Sequence, residues 1–299
     1  MLLVILLSLS VPLWAAAFHE SQQQRQPEYS KHVFGSLLFQ AEAAQERGNI
    51  LISPASVHTA LSITSMGAKG ATAKQMEALL SPKEAMGTRD GSDQGLSIAN
   101  SIWVHDTYPL SPAFARRTAD SYGATVERLD FMDPRGADTI NAWVSDATNH
   151  TINSIVDALE PDMRMIIVNA VHFLGEWVMQ FDPNDTRDRI FHAPNASYPT
   201  PFMHKEANLQ RIALDGAEGV ALPYTGERFT FFALLPPGQV EVGQWIDGLG
   251  SHLIDSVFAS LADARWERTR LALPKFIDRF DNDLSKTLKA MGMTEPFDP

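Results

Sequence analysis

Three stretches of the sequence hold residues whose types and spacing could do chemistry. "SMGAKGATAKQM", Ser65 to Met76, packs two glycines, lysines and a threonine together as a phosphate cradle does. A P-loop, however, needs four residues between its glycines and a Lys-Ser/Thr pair directly after the second. Gly67 and Gly70 enclose only Ala68 and Lys69, and Ala71 follows, so backbone N–H groups cannot wrap a phosphate. The helical reading fits better: Gly70 suits a left-handed closing residue, and Thr72 with Gln75 forms a capping box for the next helix. His204, Lys205 and Glu206 are acid–base types in a row, a pattern more typical of a solvated segment. Asn169 is the third feature, an amide inside the apolar run "RMIIVNAVHF". A buried amide without hydrogen bonds costs roughly 1–3 kcal/mol, so partners are expected from elsewhere. Ser53 and Ser56, hydroxyl residues at a helix start, qualify. Asn169 then either fixes strand register or acts as a polar latch in a sheet that opens.

No nucleophile elbow, H-E-x-x-H pair or Gly-rich dinucleotide turn occurs, and the nine histidines are scattered singly. His172, within the apolar run, reads as a packed histidine. No cofactor and no metal site are expected. Cysteine is absent, which excludes disulfides and thiolate-metal centres. A formal net charge of −12 without any basic run disfavours nucleic acid. No apolar stretch after the first seventeen residues is long enough to cross a bilayer, so no membrane association is expected.

Residues 1–17 read as a secretory signal peptide, an apolar run ending in an A-x-A pattern at Ala15–Ala17. The remainder, 18–299, reads as one domain, secreted, or periplasmic in a bacterium. Asn149, Asn184 and Asn195 begin glycosylation sequons that matter only in a eukaryote.

The elements that position these residues follow from pattern. "NILISPAS" starts a helix, with Ser53 as cap and Pro54 at its first position. Val57, Ala60, Leu61 and Thr64 share one face. "SIANSIWV" (97–104) reads as a strand, and 138–159 as a long amphipathic helix. "RMIIVNAVHF" reads as a strand covered on both faces. "FTFFALLPP" and "RLALPKF" read as further strands, and the glycine-rich 83–95 as a loop. Helices dominate the first third and strands the rest, an α+β fold with a large sheet.

Four blocks together resemble the serpin family, in serpin order: "NILISPASVHTALSITSMGAKGATAKQMEALL", "VNAVHFLGEWVMQFDPNDTRDRIF", "VALPYTGERFTFFALLPP" and "LALPKFIDRFDNDLSKTLKAMGM". The resemblance runs from about Tyr29 onward, and N-A-V-H-F-x-G-x-W is its most specific piece. It implies three β-sheets with surrounding helices and, in inhibitory members, a loop near the C-terminus that a target serine or cysteine protease cuts. The loop then inserts into the main sheet and traps the acylated protease. Ser53, Ser56 and Asn169 match the family's "shutter", and Trp177 and Lys275 its "breach", where a lysine pairs with a glutamate of the loop base. Residues 138–159 match the helix that lies across the sheet.

The sequence also departs from the pattern. Leu174 stands where lysine is usual in F-K-G-x-W. Only Lys74 and Lys83 lie near the face that binds heparin in some members, so no heparin site is inferred. After "GMTEPFDP" the reactive loop, scissile bond and last strands are expected but have no counterpart. The chain is therefore expected to be an incomplete serpin, poorly soluble alone. The alternatives are a non-inhibitory, truncated serpin-like binding protein or, more remotely, an enzyme.

Overall fold

The computed structural model describes residues 3–8, 31–46, 48–80, 95–160, 162–193, 196–238, 240–277 and 283–297. The chain divides into two compact units, one of residues 1–52 with 175–284, the other of 53–174 with 285–299.

The second unit is built on a three-stranded sheet, β3-β2-β4, of β2 (Leu96–His105), β3 (Thr125–Leu129) and β4 (Met165–Phe173). β2 runs parallel to β3 and antiparallel to β4. Strand alternation sends successive side chains to opposite faces, and both faces here are covered. Ile102 and Val104 pack with Ile63, Phe114 and Tyr122, from α2 (Pro54–Ser65) and α4 (Pro112–Tyr122). Between them in sequence, Trp103 turns the other way and joins Val168, Ala170, Ile140 and Val144. The last two belong to α5 (Gly136–Ala147), which lies on that face. β4 alternates likewise: Met165 and Ile167 reach one cluster, Ile166, Val168 and Ala170 the other. The two-sided cover expected of this strand is therefore present.

α5 is shorter than the periodicity predicts. It stops at Ala147, and Asn149 and His150 adopt positive φ values of 49° and 60°. Asparagine tolerates that left-handed region better than most residues. Residues 152–159 then return along the sheet as irregular chain, and Ile152, Val156 and Leu159 still pack on the cluster that α5 covers. The apolar pattern was real but spans a helix and its return segment. Asn141 joins the two, with Nδ2 donating to the Val156 carbonyl (2.8 Å) and Oδ1 accepting from the Ile155 and Val156 N–H groups.

The joint at residues 65–76 also forms. α2 ends at Ser65, Gly70 takes φ +61°, and α3 (Gly70–Leu79) follows. The expected capping box does not form, because the cap position is Lys69, without a side-chain cap. Gln75 instead reaches residues far along the chain: its Oε1 accepts from the Thr294 and Glu295 N–H groups, and its Nε2 donates to Thr294 Oγ1. That ties α3 to the segment after α8 (Ser285–Ala290). A capping box competes poorly when one amide can satisfy two backbone donors of another element. Most of the glycine-rich 83–95 lies outside the described residues.

The first unit is a six-stranded sheet. β5 (Thr186–His192), β6 (Ser197–Leu214), β7 (Ala217–Pro223) and β8 (Phe229–Leu235) form an antiparallel meander, and β9 (Arg265–Pro274) pairs with the middle of β6. β1 (Leu3–Ser8), within the expected signal segment, pairs with the outer side of β8. α1 (Lys31–Ala43), α6 (Val242–Leu249) and α7 (Leu253–Ala262) belong to the same unit. Trp245, Ile246, Leu253 and Val257 pack against Ile212, Ala221, Phe232 and Leu234 of the sheet, with Phe39 alongside.

Candidate functional site

Asn169 sits on edge strand β4 directly opposite Asn100 of β2. Its Nδ2 donates to Asn100 Oδ1 at 2.7 Å, and Asn100 Nδ2 donates in turn to the Tyr122 carbonyl at 2.9 Å. By strand parity the two amides share the face occupied by α2 and α4. The ladder thus joins β4, β2 and the last residue of α4 through two side chains. Asn169 Oδ1 is buried and has no hydrogen-bond partner. A buried acceptor left open is uncommon and costly.

The expected serine partners are elsewhere engaged. Ser53 caps α2, its Oγ accepting from the Ser56 N–H at 3.3 Å, and the two hydroxyls lie 2.9 Å apart. Ser53 is exposed. Asn169 therefore finds its partner in Asn100, which sequence reasoning passed over although "SIANSIWV" carries the same signal, an amide within an apolar strand. Cross-strand pairing is what brings them together: residue types were visible, but the register 100 against 169 was not.

In the other unit, Trp177 forms a β-bridge with Tyr224 and sits in an aromatic cluster. Its ring stacks on Tyr224 (centroids 6.0 Å) and meets Phe181 and Phe231 edge-on at 5.5 and 5.6 Å. The indole N–H is buried without an acceptor in good geometry. Burial raises the Tyr224 phenol above its ordinary range, against a smaller lowering by the neighbouring Trp177. Lys275 follows β9, is exposed, and donates its backbone N–H to the Pro201 carbonyl.

His204, Lys205 and Glu206 do not converge. They are successive residues of β6, and each turns to different partners. His204 Nδ1 lies near the carbonyls of Phe202 and Asp185, and Lys205 Nζ donates to the Gln180 carbonyl. Glu206 accepts from Arg268 and Arg270 across the β6–β9 pair, and Arg268 first, then Arg270, holds its carboxyl below the usual range. Asn149 and Asn184 are exposed, and Asn195 lies outside the described residues. No described helix is long and apolar enough to cross a membrane.

The serpin (serine protease inhibitor) family profile matches residues 29–299. An uncharacterized serpin-like protein of Thermococcus kodakarensis is 31% identical over 272 residues, covering 86% of this chain and 63% of its own length. Serine protease inhibitor 42Dd of Drosophila melanogaster is 31% identical over 271 residues, 83% of this chain and 70% of its own. Among solved structures, the thermophilic serpin tengpin in its native state superposes with a TM-score of 0.81 at 30% identity, covering 94% of this chain and 75% of that one. Tengpin in its latent state gives 0.81 at 28% identity. The fold is thus that of a serpin-type protease inhibitor, and this chain belongs to the serpin family. The family is one of protease inhibitors rather than of enzymes. The chain spans 63% of the length of its Thermococcus relative.

Proposed function

We propose that this protein is a single-use inhibitor of serine or cysteine proteases, acting by insertion of a cleaved loop into its main sheet. In this reading the protein is secreted, residues 1–17 being removed as a leader, and 18–299 belong to one serpin domain. Ser53, Ser56 and Asn169 form the polar region beneath the point where the sheet parts, with Asn100 added to them. Trp177 and Lys275 mark where a loop first enters.

One observation carries the reading. Among the described residues β4 is the outer strand of β3-β2-β4, and on it a buried amide oxygen, Asn169 Oδ1, lacks a donor. An edge strand with covered faces is a template for another strand, and an incoming hydroxyl or imidazole would satisfy the open acceptor. That two states of tengpin, native and latent, resemble this chain supports a fold with alternative strand arrangements. The alternative is a serpin-like protein that binds partners without loop insertion.

The test begins with the natively produced protein, whose intact mass and terminal peptides establish the mature chain. It is then incubated with trypsin-, chymotrypsin-, elastase- and papain-type proteases. A one-to-one complex that survives boiling in detergent is expected with at least one of them. Cleavage without a complex, or resistance to all four, selects the binding-protein alternative.

A further inference from the structure

β5, β6 and β9 gather arginine on one face, in a chain that carries 36 acidic side chains against 24 basic ones. The spacing Arg-x-Arg occurs in both strands that flank β6, as Arg187 and Arg189 of β5 and as Arg268 and Arg270 of β9. Residues two apart on a strand share a face, and register puts both pairs on the same face of β6. Arg187 and Arg189 stand opposite Phe202 and Thr200, and Arg268 and Arg270 opposite Asn208 and Glu206. Leu209 and Leu273, on the other parity, are buried, so the arginines lie on the outer side. Asp188 and Glu267 interrupt the positive pattern in sequence, but by parity they leave this face.

These arginines are held in place without being used up. Glu206 accepts from Nε of Arg268 at 2.9 Å and from Nε of Arg270 at 3.2 Å. Among the described residues the terminal nitrogens of both guanidiniums have no acceptor, and the two side chains are 74% and 87% exposed. Arg189 lies over the Phe202 ring at 5.6 Å, a cation–π contact, and among the described residues no carboxylate pairs with it. Arg187 has one longer contact, to Asp185 at 3.8 Å. Further along the same face Trp266, opposite Gln210, is 57% exposed. Four guanidiniums therefore share an open surface with Glu206 and Asp185 alone, and an exposed indole ends the row.

We infer that this face binds an extended acidic segment of a partner protein. Glu206 shows the recognition in miniature, since one carboxylate already bridges two guanidiniums whose planar forks suit further carboxylates. Arginine with exposed aromatics, and no lysine among the described residues of the face, is the composition of protein-binding hot spots. Side chains on one side of an extended peptide repeat about every 6.6 Å, which is the interval within each arginine pair. From the level of Arg189 to that of Trp266, β6 runs ten residues, about 33 Å of platform. A nucleic acid or sulfated glycan presents denser negative charge, which a chain of net charge −12 repels more strongly. The role is independent of protease inhibition.

The test is fluorescence anisotropy of the full chain with a fluorescein-labelled peptide of about ten residues, alternating glutamate with serine and bearing one tyrosine. Saturable binding is expected, weakened by added salt. The double variant Arg268→Gln/Arg270→Gln should weaken it about tenfold, through the loss of two charge-assisted contacts, and Arg189→Gln by a smaller factor. All three side chains are exposed, so melting temperatures should stay close to the parent's. Absence of saturable binding would overturn the proposal, as would equal affinity in the parent and both variants. Single-stranded oligothymidylate and a sulfated glycan serve as competitors. Tighter binding of either than of the peptide would make the face a general polyanion site, and would overturn the proposal as well.

Discussion

Replacing Asn100 with alanine separates a working amide ladder from a chance arrangement of two asparagines. The substitution strands two groups, Asn169 Nδ2 and the Tyr122 carbonyl, since each loses its bond to the Asn100 amide. At about 1–3 kcal/mol for each buried group left unpaired, the loss is about 2–6 kcal/mol. Asn169→Ala behaves differently. It strands Asn100 Oδ1 but also removes an acceptor that has no partner, so about 1 kcal/mol of polar destabilisation is expected. In the double variant only the Tyr122 carbonyl remains stranded, and the penalties on the two facing amide atoms disappear together. The double loss should therefore fall short of the sum of the singles by the penalties on those two atoms, at least about 2 kcal/mol, well outside the additivity of independent sites. Urea denaturation of all four proteins measures this, with constant slopes required for the comparison. Cavity contributions enter each single variant and largely cancel in the cycle. Additivity within about 0.5 kcal/mol would refute the ladder as an energetic unit.

Other expectations follow from particular contacts. Ile140→Ala should cost about 2–5 kcal/mol, because the side chain is fully buried between α5 and the sheet; the urea midpoint reports it. Gly95 has φ +79°, and a Cβ there would lie 1.8 Å from the Leu174 carbonyl oxygen. Gly95→Ala should therefore lower the melting temperature sharply, whereas Gly48→Ala, with open space around it, should leave it nearly unchanged. Trp177→Phe removes a buried N–H that has no acceptor while keeping ring contacts. It should cost less than truncation to alanine, which removes an aromatic side chain worth about 3–5 kcal/mol in a core; comparative melting checks the order. Glu206 is held charged by Arg268 and Arg270. A carboxyl lowered in the folded state contributes stability above its unfolded value, and loses it as pH falls through the folded one. The stability difference between parent and Glu206→Gln should shrink on acidification below the ordinary carboxylate range, and also with added salt, as read from urea midpoints.

Much of the fold was legible wherever one period governed one element. β2, β4, β8 and β9 lie where apolar strand runs stand in the sequence, and the hinge at Gly70 follows from the φ that only glycine adopts easily. Legibility failed where a pattern crossed an element boundary. Residues 138–159 carry a continuous apolar signal because helix and return segment cover the same face of the sheet, and periodicity alone does not mark the reversal at Asn149 and His150. It failed again wherever partners were distant. Gln75 serves residues 294 and 295 rather than its own helix, and Asn169 serves Asn100 rather than Ser53 or Ser56. Asn169 was conspicuous because its neighbours are apolar; Asn100 stands among serine and alanine, which lowered the contrast.

The Asn141 amide has a mechanical consequence. By engaging three backbone groups of residues 155 and 156, it makes α5 and its return segment one plate rather than two layers. Lifting the helix from the sheet lifts Ile152, Val156 and Leu159 with it, so Trp103, Val168 and Ala170 lose their cover in a single event. Amide exchange across residues 136–159 should then proceed as one cooperative opening, slow in onset and uniform in rate. Cutting the Asn141 tether would turn that hatch into separate shutters, each opening at its own pace.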